Sequence, residues 1–427
     1  MSWYIAIPFA FILLAFIFRF PIGWGMLTGS VVYFIAKGLD FGTIVNATCY
    51  NLYSSYILIA IPLFIFTANV MNSSSTTEKI FDFANALVGR FKGGTAYVNI
   101  VASLIFAGMT GSALADASGL GLIEIKQMKK EGYDLPFACA ITAATSVIGP
   151  IFPPSIPFVI YAMLSNASVG KLFLGGMIPA FMLCIALGVY VWYISNKRNY
   201  PVGVRVSGKQ FLKDTFKALP ALFTPVILLI GIYTGIMTPT EAGAVAALYT
   251  LVIALMFYKT LTWKKMIAIV LETIRSTGSI FLVIAAAFSF SYIINLEQVA
   301  PWLAGVMSDF GGNKWTFLVV VNIIFLILGA LVDVTISQYV FVPLFLPLAK
   351  ILGIDMVHFG VMLVLNMMIG LLTPPFGMLL FVTSGVGKCP LKDLIRETMP
   401  MLAMELIVLL IVTFVPNTVL FFTNIVA

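Results

Sequence analysis

Apolar windows long enough to cross a bilayer as a helix, roughly 20 residues, recur along this chain from Trp3 to Phe421, among them 52–71, 172–194, 218–237, 242–258 and 401–421. Short polar stretches separate them. The pattern predicts about ten to twelve membrane-crossing or re-entrant helical segments. The longest polar stretch, residues 196–217, is too short for a soluble domain. The chain therefore reads as an all-α polytopic membrane protein with a single membrane domain over 1–427, and capture of a ligand in water requires a partner chain.

Composition agrees: 61% of the 427 residues are hydrophobic and 10% charged, with a mean hydropathy of +1.07, values foreign to water-soluble chains of this length. The first apolar segment starts at Ser2 without a basic n-region or a small-residue cleavage site, so it is expected to stay as a helix. The four cysteines show no CxxC spacing and His358 is the sole histidine, which argues against a His/Cys metal site. One histidine and two aspartates on separate repeats offer no triad, so no enzyme is expected. The stretch Gly89-Arg-Phe-Lys-Gly-Gly-Thr95 has the wrong order for a nucleotide-binding loop, against a primary pump.

The net charge of +7 does not point to nucleic acid, because the basic residues sit in short loops: Arg90 and Lys92; Lys126, Lys129 and Lys130; six within 197–217; Lys259, Lys264 and Lys265; Lys388, Lys392 and Arg396. That is the positive-inside pattern. Crossings between successive cytoplasmic loops must be even in number. The interrupted segment 93–125 between Lys92 and Lys126 must then turn inside the membrane and leave where it entered. A second interrupted segment, 315–352, has lightly charged mouths and opens on the outer face, and 401–421 leaves the C-terminus outside, periplasmic in a bacterial inner membrane.

The segment Ile148-Gly-Pro-Ile-Phe-Pro-Pro154 returns 221 residues later as Ile369-Gly-Leu-Leu-Thr-Pro-Pro375. Each copy lies in mid-span and follows an interrupted hairpin whose turn carries an acid and, two residues on, a hydroxyl: Asp116-Ala-Ser118 and Asp333-Val-Thr335, 217 apart. Two re-entrant hairpins and two broken helices of opposite topology form an inverted repeat, the sign of a secondary transporter whose site lies where the breaks meet.

Paired prolines leave carbonyls unbonded at membrane depth, and such groups need protein, water or an ion to satisfy them. Na⁺, a hard cation content with a few carbonyl and hydroxyl oxygens, is the leading coupling ion. Half-helix ends add negative and positive dipole ends at the same place. One candidate cation site combines Thr110, Gly111 and Ser112 with Gly149, Phe152 and Pro154. The other combines Gly329, Asp333 and Thr335 with Gly370, Thr373 and Pro375. A lone Thr110 or Thr335 equally suits a bond to the carbonyl one turn back. Asp116 equally suits capping its own helix or a functional role, since carboxylates inside spans mark function by default. Glu241 suits a helix start. The amphipathic pieces 76–88 and 297–307, with Ile80, Phe83 and Leu87 opposite Lys79 and Asp82, suit interfacial loops or arms joining a mobile unit to a fixed one. Proton coupling through Asp116 or Asp333 stays open beside Na⁺.

Ile61-Pro-Leu-Phe64, Phe106-Ala-Gly-Met-Thr-Gly-Ser112 with Ala115-Asp116-Ala117, 148–157, Thr238-Pro-Thr-Glu-Ala242 and 370–376 together resemble, over nearly the whole chain, the large membrane subunit (M, or DctM-type) of tripartite ATP-independent periplasmic (TRAP) transporters. The resemblance implies an elevator-type ion-transporter fold with at least two transported Na⁺ ions held at the tip and break residues named above. It also implies a separate four-helix Q-type membrane subunit, a soluble P-type periplasmic binding protein and an organic-anion substrate. Its general character is of the sialic acid type; C4-dicarboxylates are the other main class. The family usually has a small aliphatic residue where Phe152 stands. Asp116, Ser155 and Met378 are the candidates for touching the anion. The implied division is 1–50 scaffold helices, 51–92 scaffold helix and arm, 93–164 first transport repeat, 165–265 scaffold, 266–309 scaffold helix and arm, 310–387 second transport repeat and 388–427 C-terminal helix.

Overall fold

A computed structural model describes residues 2–18, 20–74, 76–203, 206–299, 301, 302, 305 and 313–425. Among them there is no β-strand, and eight helices are long and apolar enough to cross a membrane. The excess of segments expected from hydropathy is explained by half-helices of 10–17 residues, including Gly94–Thr110, Leu135–Ser146, Ile156–Ser165, Met356–Gly370 and Met378–Gly387.

The helices run in chain order as α1 (Ala6–Ile17), α2 (Ile22–Lys37), α3 (Phe41–Ser54), α4 (Ala60–Ser73), α5 (Thr76–Val88), α6 (Gly94–Thr110), α7 (Ala113–Ser118), α8 (Leu120–Lys130), α9 (Leu135–Ser146), α10 (Ile156–Ser165), α11 (Val169–Lys197), α12 (Gly208–Tyr233), α13 (Pro239–Val252) and α14 (Trp263–Leu296). There follow α15 (Lys314–Leu331), α16 (Val334–Ile351), α17 (Met356–Gly370), α18 (Met378–Gly387), α19 (Leu391–Phe414) and α20 (Asn417–Ile425). Many begin at a hydroxyl or acid cap that satisfies an otherwise orphaned N–H. The clearest is α13. There Thr238 Oγ1 accepts from the Glu241 amide at 3.3 Å while the Glu241 carboxylate accepts from the Thr238 amide at 2.7 Å. That reciprocal pair is a capping box and gives Glu241 the helix-start role.

The helices pack in two groups that also meet each other, α6 with α4, α5 and α12, and α14 with α16. In one, α2 packs on α1 and α14, α3 on α14, α4 on α13 and α14, and α12 on α5 and α13. In the other, α6 packs on α8, α9 and α11, α9 on α18 and α19, α15 on α17, and α11 on α17, α19 and α20. The helix α11 thus lies with the hairpins, although the bounds drawn from sequence put 165–265 with the scaffold, and α19 lies with them too. Both follow a broken helix, α11 in the first repeat and α19 in the second.

The first amphipathic piece is α5, and it buries Ile80, Phe81 and Ala84 against α6 and α12. Leu87, expected on the apolar stripe, is 45% exposed, because helices on two sides of α5 turn its buried face toward Phe81. Residues 300, 303, 304, 306 and 307 of the second piece lie outside the described residues. Its first residue, Glu297, is buried and accepts from the Ser2 amide at 2.7 Å and from Tyr33 at 2.5 Å, and it pairs with Lys37. Burial alone would raise its carboxyl, but the hydrogen bonds from Lys37, Ser2 and Tyr33 outweigh that and hold it down at about 2.

At the basic face, Arg198 bridges Asp134 of the first repeat (3.2 Å) and Glu397 of the second (2.8 Å). The chain after α11 also folds back on the root of the first hairpin. Lys92 and Val202 form an antiparallel bridge, with the Gly93 amide donating to Pro201 O at 2.9 Å and the Gly203 amide to Phe91 O at 3.4 Å.

Candidate transport site where the hairpin tips meet

The first hairpin turns at Gly111, whose φ of +56° is a left-handed conformation that glycine adopts freely. A Cβ there would come within 2.4 Å of Pro154 O. Ser112 is extended and caps α7, its hydroxyl accepting from the Ala115 amide at 3.4 Å. Between α9 and α10 the chain loses helical bonding and crosses the cis bond Pro153-Pro154. It regains a helix at Ser155, whose Oγ accepts from the Phe158 amide at 3.2 Å and donates to Pro150 O at 2.5 Å. An added Cβ at Gly149 would lie 3.7 Å from the Ser112 carbonyl. Tip one therefore rests on break one, with Thr110, Gly111, Ser112, Gly149 and Pro154 gathered there. The Thr110 hydroxyl donates one turn back, to Phe106 O at 3.4 Å, and the Phe152 ring packs edge-on against Phe181.

The second hairpin turns without a left-handed residue. Val332 is extended, and Asp333 caps α16 by accepting from the Thr335 amide at 2.8 Å. Gly329 and Gly370 meet backbone to backbone, so that a Cβ on Gly370 would sit 2.6 Å from Gly329 Cα. Thr373 donates to Ile369 O at 2.9 Å, and the break crosses the cis bond Pro374-Pro375.

The structure also corrects the register of the repeat. The residue doing in the first hairpin what Asp333 does in the second is Ser112, since each caps the second hairpin helix. They are 221 apart, as are Gly108 and Gly329, Gly149 and Gly370, and Asp134 and Asp355, the last pair both preceding a broken helix, which Asp355 caps with its side chain and Asp134 does not. The acid-hydroxyl signature at a spacing of 217 was offset by one helical turn. Asp116 lies inside α7.

Both tips and both breaks face one cavity of about 120 Å³, lined by Gly111, Ser112, Pro150, Asp333, Thr335 and Met368 among others, with Ile280 of α14 on the opposite wall. Thr110, Gly149, Phe152, Pro154, Gly329, Gly370, Thr373 and Pro375 are not on this lining, and Pro375 is exposed. Of the residues expected to touch an anion, none is on it. Ser155 is fully buried and committed to its two hydrogen bonds. Met378 is 37% exposed elsewhere. Asp116 is 1% exposed, its carboxylate has no hydrogen-bond partner among the described residues, and its nearest polar neighbours are Ser103 and Ser146.

Two polar clamps went unnoticed in the sequence. Asn99 of α6 donates to Thr142 at 2.7 Å and accepts from Thr145 at 2.6 Å. Asn322 of α15 accepts from Asn366 at 2.6 Å and donates to Thr413 at 3.1 Å. Each ties a hairpin to its broken helix, and an amide in mid-span was the available signal. Glu124 and Glu405, also buried without a hydrogen-bond partner among the described residues, are equally visible as charges inside apolar runs.

Residues 9–418 match the family described as the tripartite ATP-independent periplasmic transporter, DctM component. The chain is 42% identical over 401 residues to the sialic acid TRAP transporter large permease protein SiaM of Vibrio cholerae, covering 92% of this chain and 93% of that one. It is 39% identical over 407 residues to the permease SiaT of Haemophilus influenzae, covering 95% of this chain and 66% of the other. Identity is 38% over 369 residues, 86% of each chain, to the C4-dicarboxylate large permease DctM of Pseudomonas aeruginosa. The crystal structure of the Alcanivorax borkumensis YdaH transporter superposes with a TM-score of 0.64 at 13% identity, over 88% of this chain and 87% of that one, which makes the fold common to both. These relatives are transporter permeases rather than enzymes, and the many apolar helices here make this a multi-pass membrane protein. The chain belongs to the DctM-component family of tripartite ATP-independent periplasmic transporters.

Proposed function

We propose that this chain is the translocating subunit of a Na⁺-coupled importer of an organic acid, of the sialic acid or C4-dicarboxylate class. It works in the bacterial inner membrane, C-terminus in the periplasm, with a separate small Q-type membrane subunit and a P-type periplasmic binding protein. The observation that supports it best is the tip cavity. Among the described residues its wall carries Asp333 and no Lys, Arg or His, so a carboxylate entering it needs its counter-charge brought in as cations. Bent backbone at both breaks offers carbonyl oxygens for those cations. Asp116, buried under tip one with no partner, suits the cation side of this division better than contact with the anion.

The packing supports a redrawn division, with α6–α11 and α15–α20 as the moving unit and α1–α5 with α12–α14 as the scaffold of an elevator. The close approach of hairpin one to the scaffold at Gly108, where a Cβ would meet Pro225 at 2.7 Å, is then a sliding contact. The test is reconstitution with the small subunit in liposomes, with binding protein and labelled acid outside, under Na⁺ and pH gradients imposed separately. The expected result is uptake driven by Na⁺. Uptake on a pH gradient with Na⁺ absent replaces this reading with proton coupling, for which the unpaired Asp116 is the residue to examine.

A further inference from the structure

Three helices that wall the tip cavity continue together and wall another. Ile156 and Pro157 of α10, Ile280 of α14 and Val334 of α16 line the first. Met163 of α10, Ala287, Ser291 and Asn295 of α14 and Pro343 of α16 line a second cavity of about 260 Å³. The two sets are separated by about seven residues on α10 and α14 and about nine on α16, hence by roughly 10–13 Å at a helical rise of 1.5 Å per residue. All three helices run from the first cavity toward the face that loop charge places outside. Asn51 of α3 completes the second cavity, which therefore lies on the seam between the two helix groups.

The linings differ in chemistry. The tip cavity, at about 30 Å³ per water, holds roughly four waters and carries a carboxylate. The second is more than twice as large and has no charged residue among the described residues that line it. The Asn295 amide, the Ser291 hydroxyl and the Tyr292 phenol line it together with apolar residues that include Phe288. Such a set hydrogen-bonds alcohols in both directions and packs on the apolar face of a sugar ring, while giving no charge to a carboxylate. Gln338 stands on α16 between the two cavities, donating to Pro157 O of α10 at 3.2 Å, with its own carbonyl oxygen buried and without a partner among the described residues.

We propose that the second cavity is an outer subsite on the substrate path, one that binds polyhydroxylated acids and selects them over plain dicarboxylates before the carboxylate reaches the tips. This rests on the transport reading above, but the subsite binds without the coupling ion because no charge faces it.

The test uses the chain assembled with its small subunit, carrying Ser291→Cys in a background with Cys49→Ser and Cys184→Ala, since Cys49 is exposed and Cys184 partly so. Labelling of the new thiol is timed with N-acetylneuraminate or succinate present, with and without Na⁺. N-acetylneuraminate is expected to slow labelling severalfold in the absence of Na⁺, and succinate to leave it unchanged. Equal effects of the two acids, no effect of either, or slowing that needs Na⁺ overturns the proposal, the last because the cavity is then only the far wall of the tip site. A second variant, Asn295→Leu, is expected to lower the ratio of N-acetylneuraminate to succinate uptake by about fivefold, the weight of one hydrogen bond, with the Na⁺ activation curve unmoved. An unchanged ratio counts against the subsite. Proton-driven uptake with the thiol still protected would sink the coupling reading and leave the subsite standing.

Discussion

The two hairpin tips hold equivalent places, 221 residues apart, and are built differently. Tip one turns through left-handed Gly111 and caps its second helix with the neutral Ser112, keeping its acid, Asp116, four residues further on and buried. Tip two turns through extended Val332 and caps with Asp333, which faces the cavity. Each tip thus owns one carboxylate, sealed beneath the surface in the first and open to the substrate space in the second. On the Na⁺-coupled reading proposed above, a cation held by Asp333 would meet the cavity directly, whereas one held by Asp116 would not, since Asp116 is not on the cavity lining. The repeat duplicates backbone geometry and lets the charge settle at different depths.

The strongest challenge to this comparison is at the glycines. Gly370→Ala puts a methyl against the Gly329 backbone and Gly111→Ala puts one against Pro154 O, the latter with left-handed strain in addition. Each is expected to lower stability by about 3 kcal/mol, read as an earlier thermal transition of the purified complex, and to abolish uptake. An unshifted transition for Gly111→Ala would mean that tip one does not rest on break one. Next come the clamps: Asn99→Ala and Asn322→Ala should each cost about 2 kcal/mol, because both leave buried partners unbonded. A large effect at only one would show that the repeats are not held alike.

The acids separate the tips more finely. Asp333→Asn keeps the cap, since Asn caps as well as Asp, and is expected to raise the Na⁺ concentration for half-maximal uptake about tenfold. Asp116→Asn should do likewise, yet also raise thermal stability in Na⁺-free buffer by removing an uncompensated buried charge. Equal thermal behaviour of the two variants would erase the difference in depth. The smallest effect belongs to Ser112→Ala, a lost cap of about 1 kcal/mol, with weakened Na⁺ dependence. Thr373→Ala, which loses a hydroxyl bonded one turn back, should match it in Na⁺ dependence.

What could be read from sequence was whatever glycine and proline decide locally. The two Pro-Pro breaks and the glycine tips stand out because few conformations suit them, and of the residues named there Gly111, Ser112, Asp333 and Thr335 line one cavity. The packing was less legible. Helices apolar on every side carry no stripe to say which neighbours they bury, and so α11 and α19 were not assigned to the hairpins. The acid-hydroxyl pairs at 217 looked like equivalents because three residues cannot distinguish a cap from the next helical turn. Ser155 was a reasonable candidate for substrate contact until its cap and its bond to Pro150 O left it nothing to offer. The clamp amides at Asn99 and Asn322 were in plain view, but a single polar residue in a span acquires meaning only from the residue opposite.

The short bridge between 91–93 and 201–203 has a consequence for anyone who divides this chain. A polypeptide ending before Pro201 would lose the tether that joins its tail to the first hairpin, and one ending before Gly203 would lose the Gly203 amide bond to Phe91 O. One ending just after Gly203 carries the complete tether. Two-fragment expression, or a protease site engineered to test whether the halves assemble from separate messages, should therefore place the cut on the C-terminal side of Gly203, where the first half keeps its own clasp.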